Sequence, residues 1–305
     1  MANASQTQLA YVEEVTPGVT PATPAFQVLR FTGESLNANI TNQKSNEIRA
    51  DRNVPDLIQV SANSGGAINV EISYGSFDDL LESALYSTWS TDTLINGVTQ
   101  KTFTIEKLFE TGATDQYHRF TRCVVDNMSL SIGAQGIITA TFTFIAGEFS
   151  TATTAITGAT YTAVNTNDVM NASTDFSGLA LNGVTSPRLQ TLNLSISNSL
   201  REQPEAGSLY STGIGAGQFE VTGDGVIYFD DAELYDLFVA ATESDLTFKI
   251  GGASSKNYVL TMQKLKFATA SVNAGSNDED LVVNFTFQAL YNASDAGTLK
   301  IERTA

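Results

Sequence analysis

The chain carries the same landmarks twice in the same order, and this repetition limits its possible folds more than any other feature. The segment Leu36–Asn42 alternates apolar and polar residues, and Leu192–Asn198 repeats that alternation. Three further pairs follow in the same order: Gly66–Val70 with Gly217–Val221, Asp79–Leu81 with Asp236–Phe238, and Thr141–Phe144 with Asn284–Phe287. Because the spacing within these pairs changes only by loop-sized amounts, we interpret the chain as a tandem duplication.

The boundary between the two copies is predicted near residues 146–160, which are poor in charge and rich in Thr and Ala. This places a first domain with an N-terminal arm at residues 1–150 and its internal duplicate at residues 151–305. A chain of 305 residues is long enough for each half to bury its own core.

Each half reads mainly as β-strands. Ile68, Val70 and Ile72 alternate with polar residues, which is the period of a strand with one buried face. The runs 138–144 and 281–287 are rich in β-branched and aromatic residues over the length of a strand. The sequence therefore predicts an all-β fold.

One short helix is expected in each half. The apolar residues after Ser76 fall on one side of a helix and are expected to pack on the sheet of their own half: Phe77, Leu80, Leu81, Ala84 and Leu85. Ser76 and Asp79 suggest a side-chain cap at its start. The second half repeats the pattern after Asp230 and Glu233 with Leu234, Leu237, Phe238 and Ala241.

The charge balance is acidic, with 33 Asp and Glu against 16 Lys and Arg and a net charge of −17. Such a chain repels phosphate backbones, so tight nucleic-acid binding is not expected. An acidic wall could suit DNA that must pass without sticking, but the same charge also serves solubility. Charged residues make up only 16% of the chain, which suits a surface occupied by partners, although a secreted β-protein could look similar.

Catalytic and metal-binding motifs are missing from the sequence. His118 is the single histidine, and the single cysteine, Cys123, is expected to be a buried strand residue. Gly213–Gly217 resembles a dinucleotide loop but lacks the strand and helix that should flank it. Asn277–Asp280 and Gly223–Gly225 could offer oxygens to Ca²⁺ but have the wrong spacing. We therefore expect no enzyme activity, no cofactor and no metal.

Neither a leader nor a membrane span is expected. The first residues, Met1–Gln6, lack a basic segment followed by an apolar run. No stretch approaches the roughly 18 apolar residues that a transmembrane helix needs. These patterns predict a protein that is made in a cytoplasm and is soluble there.

Four segments of the first half resemble the phage tail tube proteins of long-tailed bacteriophages: Tyr11–Phe26, Leu29–Gly33, Ser45–Arg52 and Tyr74–Leu81. The resemblance extends over nearly the whole chain, because the landmarks of the second half fit the same family. It implies two tandem antiparallel β-sandwich domains of the tail tube type, each with one helix. It also implies a non-enzymatic structural protein of the virion tail that is assembled in the host cytoplasm.

The same resemblance implies an assembly. Similar proteins form rings of six domains, and the rings stack into a hollow tube that delivers the genome. Because this chain carries the domain twice, three chains would form a homotrimeric, pseudo-sixfold ring. The implied partners are other copies of the chain, tail terminator and tail-tip proteins, the tape measure protein inside the growing tube, and genomic DNA that passes without tight binding. No membrane insertion is implied.

In such a tube, one face of the inner sheet lines the channel. Alternation places Leu36, Ala38, Ile40, Ile68, Val70, Phe142 and Phe144 on the core face. The opposite face carries short polar side chains and an occasional carboxylate: Asn37, Asn39, Thr41, Asn69, Glu71, Thr141, Thr143, Asn193, Ser195, Ser197, Glu220, Thr222, Asn284 and Thr286. We hypothesise that these residues line the lumen, while the same alternation would also suit a face in bulk solvent.

Two polar stretches, Gln43–Ser64 and Ser199–Ala216, lie between matched strands and show no regular pattern. Irregular loops of that length in compact domains are usually functional. We hypothesise that they are arms reaching the neighbouring ring, with inter-ring contacts through Lys44, Arg49, Arg52 and Arg201. An ordinary solvated hairpin tip is the alternative.

The competing function is a receptor- or glycan-binding virion protein built from two β-sandwiches. Exposed aromatic residues in loops would favour it. Trp89, the single tryptophan, follows the first helix, where packing is the simpler explanation.

Overall fold

Runs of alternating apolar and polar residues become long antiparallel strands throughout the computed structural model, which describes residues 4–112, 114–273 and 276–305. A short 3₁₀ turn, Ala4–Gln6, precedes the first strand. The described elements up to residue 152 are β1 (Thr7–Glu13), β2 (Ala25–Val28), β3 (Gly33–Glu34), β4 (Asn37–Lys44), β5 (Leu57–Glu71), α1 (Asp78–Leu85), β6 (Thr93–Ile95), β7 (Phe103–Phe109), β8 (Gln116–Gly133), β9 (Thr139–Ala146) and β10 (Phe149–Ala152).

The described elements of the remaining chain repeat this mixture of many strands and one helix. They are β11 (Thr160–Thr162), β12 (Phe176–Leu181), β13 (Leu189–Ser197), β14 (Arg201–Gln203), β15 (Gly213–Gly215), β16 (Glu220–Tyr228), α2 (Glu233–Val239), β17 (Ser244–Gly251), β18 (Asn257–Val272), β19 (Val282–Ala289) and β20 (Lys300–Thr304). The predicted all-β fold of two domains, each with one short helix, is confirmed.

One sheet runs through both halves, and we call it the shared sheet. Its strand order is β4–β5–β9–β8–β13–β16–β19–β18, with β3 pairing beside β4 on the same side of β5. All these pairings are antiparallel. The β8–β13 pairing joins the halves, so the two domains share a backbone ladder.

Each half adds a second sheet, which we call the first and the second cover sheet. The first has the order β11–β2–β1–β7–β8–β10, in which only β11–β2 is parallel. The second has the order β12–β17–β18–β20–β6. Strand β6 therefore lies in the sheet of the second half and β11 in the sheet of the first. The exact boundary at residue 150 stays a prediction.

Strands β8 and β18 are long enough to belong to two sheets each. The first part of β8 pairs in its cover sheet and its last part pairs in the shared sheet, and β18 does the same. A bulge interrupts the ladder to the next strand at Asp126 in β8 and at Ala268 in β18. Bulges bend a strand and increase its twist, which lets one strand turn from one sheet into the other.

The two bulges fix which residues of the halves correspond. The pair after the bulge is Asn127–Thr143 in the first half and Thr269–Thr286 in the second. Phe142 therefore takes the same position as Phe285, as the repeat predicted.

The two other strand matches from the sequence were wrong in register. Gly66 lies opposite Phe144 and Gly223 opposite Phe287, so Gly66 corresponds to Gly223 and not to Gly217. By the same ladders Asn37 corresponds to Ser195, a shift of two residues from the match of Leu36 with Leu192. A period of two fits equally well after any even shift, so sequence alternation alone leaves this ambiguity.

The predicted apolar stripe is confirmed for α1 and only in part for α2, since Ala241 lies past the end of α2 and is exposed. All residues of α1 from Leu80 to Leu85 are buried, whereas in α2 only Leu234 is buried. The predicted side-chain cap is wrong: Phe77 occupies the N-cap of α1 without a side-chain bond, and the Ser76 hydroxyl pairs with that of Ser73.

Aromatic side chains fill the space between the shared sheet and the cover sheets. Phe103, Phe120 and Phe142 are fully buried in the first half, and Phe248 in the second. Burying large apolar side chains in this way is the main contribution to folding stability. Cys123 is also fully buried, as predicted.

Candidate functional site

The outer face of the shared sheet is a polar surface that crosses both halves, and we call it the polar face. Its central row follows the strand register: Asn69 lies opposite Thr141, Thr141 opposite Ser129, Ser129 opposite Ser195, and Ser195 opposite Thr222. Gln288 and Lys266 continue the row on the next two strands. A second row runs parallel through Glu71, Thr139, Ser131, Asn193, Asp224, Thr286 and Thr269.

The side chains of the polar face bind one another across strands. The Thr141 hydroxyl donates to Asn69 Oδ1 at 2.9 Å. The Ser131 hydroxyl donates to Asn193 Oδ1 at 2.8 Å, and Asn193 Nδ2 in turn donates to Asp224 Oδ2 at 2.9 Å. Cross-strand pairs of this kind stabilise a sheet and hold its short side chains in place. The result is a surface of ordered hydroxyls and amides.

None of the residues predicted to line a lumen is buried in the structure. Those on β5, β9, β13, β16 and β19 lie together on the polar face, and the sequence predicted this because alternation assigns faces. Asn37, Asn39 and Thr41 continue the same side of the sheet along β4.

The sequence interpretation missed the part of the polar face that β8 contributes. Asn127, Ser129 and Ser131 lie at its centre, where β8 meets β13. Alternation in Asn127–Gly133 could have identified them, since the intervening residues are the buried Met128, Leu130 and Ile132. What the sequence did not show is that this strand joins the halves.

Charges on the polar face are sparse and mainly acidic. Glu71 and Asp224 lie in the second row, and Glu220 is the first residue of β16. Lys266, which the interpretation also missed, ends the central row, where its ammonium lies 3.9 Å from the Glu243 carboxylate. That carboxylate pairs more closely with Lys264, at 3.0 Å, so it offsets Lys266 only in part. Glu71, Asp224 and Glu220 outnumber this lysine, so the face presents phosphates with little to bind.

Two predicted core residues lie outside the core, since Ala38 is only half-buried and Ile40 is exposed. Leu36, Ile68, Val70, Phe142 and Phe144 are buried as expected. Ile40 is 54% exposed, because β4 and the first part of β5 extend past the core as a two-stranded hairpin. We call this hairpin, with its connecting residues 45–56, the first arm.

The arms were expected to lack regular structure, and this was wrong for part of their length. In the first arm β4 continues to Lys44 and β5 begins at Leu57. Its β-branched stretch, including Ile58 and Val60, favours strand although both side chains are half exposed. Lys44, Arg49 and Arg52 are exposed towards the tip, and Arg49 pairs with Asp51 at 3.1 Å.

The second arm, residues 199–216, forms the hairpin β14–β15 and packs on the first half of its own chain. Arg122 Nη1 donates to the Thr212 carbonyl at 2.5 Å, and Gln100 Nε2 donates to the Ile214 carbonyl at 3.3 Å. The exposed Arg201 bonds within its own hairpin, to the Ala216 carbonyl at 3.3 Å. Packing against a neighbouring domain is thus an observed use of an arm in this fold.

The candidate chemical groups occupy structural positions. His118 sits between the rings of Phe109 and Phe149, and burial together with Lys107 lowers the pKa of its imidazole. Burial raises the pKa of the Cys123 thiol well above its usual value, which disfavours the reactive thiolate. Within the described ranges, no group of three or more His, Cys, Asp or Glu side chains could hold a metal ion.

Trp89 is held by packing and not displayed in a loop. Its indole N–H donates to the Asp78 carbonyl at 3.3 Å, and the Arg303 guanidinium lies 4.4 Å from the ring centre. In the part of the chain that the structure describes, no helix is long and apolar enough to cross a membrane.

A family model described as phage tail tube protein matches residues 4–289, which is nearly the whole chain. The chain therefore belongs to the phage tail tube protein family and is a structural component of the virion tail. No curated protein matches the chain significantly.

Proposed function

We propose that three copies of this chain close into a ring, that the rings stack into the tail tube, and that the polar face lines the channel through which the genome is delivered. The observation that carries the proposal is the continuity of the shared sheet. Each of its strands from β4 to β18 pairs with the next across both halves, and the sheet has one buried and one polar face. A tube wall needs such a surface repeated around its circumference.

Ring closure would also satisfy the open edges of the shared sheet. Unpaired strand edges invite association with other chains, and closing a sheet into a barrel removes them. Each chain supplies two tandem tube domains, with the division between 1–150 and 151–305, so three chains provide the six domains of a pseudo-sixfold ring. Tail terminator and tail-tip proteins would cap the stack, and the tape measure protein would occupy its lumen during assembly.

The chemistry of the polar face suits passage of DNA. Adhesion to DNA rests chiefly on Lys and Arg contacts with phosphates and on the release of counterions. The fourteen predicted lumen residues include no Lys or Arg, and Glu71 and Glu220 repel phosphates. DNA would therefore slide past ordered hydroxyls and amides without being held.

The tips of the first arms are proposed to contact the next ring. Lys44, Arg49 and Arg52 place three exposed cations at the end of this hairpin, among Glu47, Asp51 and Asp56, in a chain whose net charge is −17. They would meet acidic surface on the stacked neighbour. Arg201, on the second arm, is proposed to serve the same contact from the other half.

Negative-stain microscopy of the purified protein tests the assembly. We expect rings or tubes, and dispersed monomers over a wide range of concentration and salt would contradict the proposal.

The channel itself is tested in assembled tails that carry Asn39→Lys and Glu71→Lys. Slower or incomplete genome ejection with normal tail length is expected, because lysines in the wall would bind phosphates. The matched control, Glu148→Lys with Ser150→Lys, places its lysines at exposed positions outside the shared sheet. Normal ejection from the first variant would argue against the lumen assignment.

A further inference from the structure

The contact between the two halves of this chain is a complete example of how two tube domains can join. Strands β8 and β13 pair from Asn127–Ser197 to Gly133–Thr191. Just beyond the ladder, Asn198 Nδ2 donates to the carbonyls of Ala84 at 3.0 Å and Val125 at 2.9 Å. The join therefore has two parts, a backbone ladder and a side chain that covers the end of α1.

The chain also carries the two surfaces needed to repeat this join with another copy. Strand β18 corresponds to β8, and β4 corresponds to β13, by the register of the ladders. Within the described ranges, residues 266–272 of β18 and all of β4 pair with another strand on one side only. The strands equivalent to β8 and β13 are thus the two outer strands of the shared sheet, and each has one edge without a partner strand in the described chain.

The end of α1 is covered by the join inside the chain, whereas the end of α2 is exposed. Leu85, the last residue of α1, is fully buried, whereas Val239, the last residue of α2, is 66% exposed. Asn198 of the second half contacts the end of α1, but within the described residues no counterpart contacts the end of α2.

The residue that corresponds to Asn198 is Ile40, which is 54% exposed on the first arm. An exposed isoleucine and an exposed apolar helix end on opposite outer edges of one chain complement each other between copies. Burying both would remove apolar surface from water, which favours association.

We propose that a second copy of this chain docks β4 against β18, in the register of the internal join, with Ile40 covering the end of α2. Asn37 then lies opposite Ser271, as Ser195 lies opposite Ser129, and Asn39 lies opposite Thr269, as Ser197 lies opposite Asn127. The contact is head-to-tail, so it closes a ring when the rotation allows. This inference rests on the proposed function and adds the register and the role of the base of the first arm.

Paired cysteines test the register. In the variant Asn37→Cys with Ser271→Cys, residues from neighbouring copies face each other, and directly opposed residues of antiparallel strands lie about 4.5–5.5 Å apart between Cα atoms, within reach of a disulfide. Oxidation of assembled protein is expected to give covalent dimers and trimers on a non-reducing gel, reversed by reductant. Each single variant should give neither, and native Cys123 is fully buried.

The matched control is Ser129→Cys with Ser195→Cys, which face each other inside one chain. Its disulfide should leave the mass of a single chain. Tubes formed by the Asn37→Cys, Ser271→Cys variant without any cross-linked dimer would overturn the proposed join and leave the tube function standing. Absence of rings and tubes from the unaltered protein would instead contradict the proposed function.

A second variant tests the packing of Ile40 on the end of α2 without introducing cysteines. Ile40→Asp should prevent ring formation, because a carboxylate would be buried against an apolar helix end. The melting temperature of the isolated chain should hardly change, since Ile40 is already half exposed. The control Val98→Asp changes a residue that is 94% exposed outside the proposed contact and should assemble normally. Normal rings from Ile40→Asp would contradict the proposed packing of Ile40 on the end of α2.

Discussion

Asp78 begins the first helix and Arg303 lies in the last strand, yet their side chains form an ion pair in which Arg303 Nη1 donates to Asp78 Oδ2 at 2.5 Å. The Tyr258 hydroxyl donates to the other carboxylate oxygen at 2.5 Å, and burial with the charge of Asp78 raises the pKa of Tyr258. Together with the stacking of Arg303 on Trp89, these contacts hold α1 of the first half against β18 and β20 of the second.

Asp78→Ala should therefore loosen the contact between the halves. It leaves the buried Tyr258 hydroxyl without its carboxylate acceptor, at a cost of about 1–3 kcal/mol in the free energy of unfolding. Arg303 loses its closest carboxylate partner and keeps its contacts with Asp92 and the Thr91 carbonyl. Urea denaturation of the purified chain measures the loss. The control Asp51→Ala breaks the exposed Arg49–Asp51 pair, which should change stability far less, because solvent screens an exposed ion pair. Equal effects of the two variants would contradict the assigned role.

Gly223→Ala should destabilise the second half, because a methyl group at that position would lie 2.3 Å from the Phe287 ring and 2.9 Å from the Asn193 carbonyl oxygen. Overpacking of this kind typically costs about 1–3 kcal/mol. Adding Phe287→Leu should recover part of the loss, and a double-mutant cycle measures that coupling. Gly133→Ala is the control, since no atom lies within 4 Å of the added methyl group. Strictly additive effects would contradict the close approach.

Acid should destabilise the first half through His118. Burial lowers the pKa of its imidazole in the folded chain, so the unfolded chain binds the proton more tightly. The contribution to stability is complete above the unfolded value of about 6.5 and is lost as the pH falls through the folded value. The melting temperature of His118→Gln should fall less between pH 7.5 and 5.5 than that of the parent chain. An equal fall would contradict this, since the chain has one histidine.

The tips of the first arms should matter for stacking and not for folding. Reversing charge with Arg49→Glu and Arg52→Glu is expected to shorten or abolish tubes, because the tip would then repel the acidic surface of the next ring. The melting temperature should stay within error, since both residues are exposed. Tube length by electron microscopy is the readout, and Lys256→Glu, an exposed charge reversal in the second half, is the control. Tubes of normal length from the double variant would refute the contact.

The sequence predicted which residues share a face better than it predicted which strands are neighbours. Phe142 and Phe285 were matched correctly because two aromatic residues in a short alternating run leave little choice of register. Leu36 was matched two residues away, since alternation is unchanged by an even shift. The β8–β13 join and the packing of the second arm on the first half depend on contacts far apart in sequence, for which periodicity carries no signal.

Two local misjudgements have simple physical causes. Ser76 looks like a helix cap, but its hydroxyl pairs with that of Ser73 and the first turn instead carries Asp78 and Asp79, which bind Arg303 and Tyr11. Ile40 looks like a core residue because it keeps the alternation of β4. The strand continues past the core, so the pattern no longer reports burial.

A cryo-electron microscopy reconstruction of tubes grown from the purified chain tests the central claim most directly. The account predicts three chains per ring, with Asn69, Thr141, Ser129 and Ser195 facing the channel along one continuous sheet. A tube in which this polar face points outward, or in which the shared sheets of neighbouring chains do not join, would contradict it.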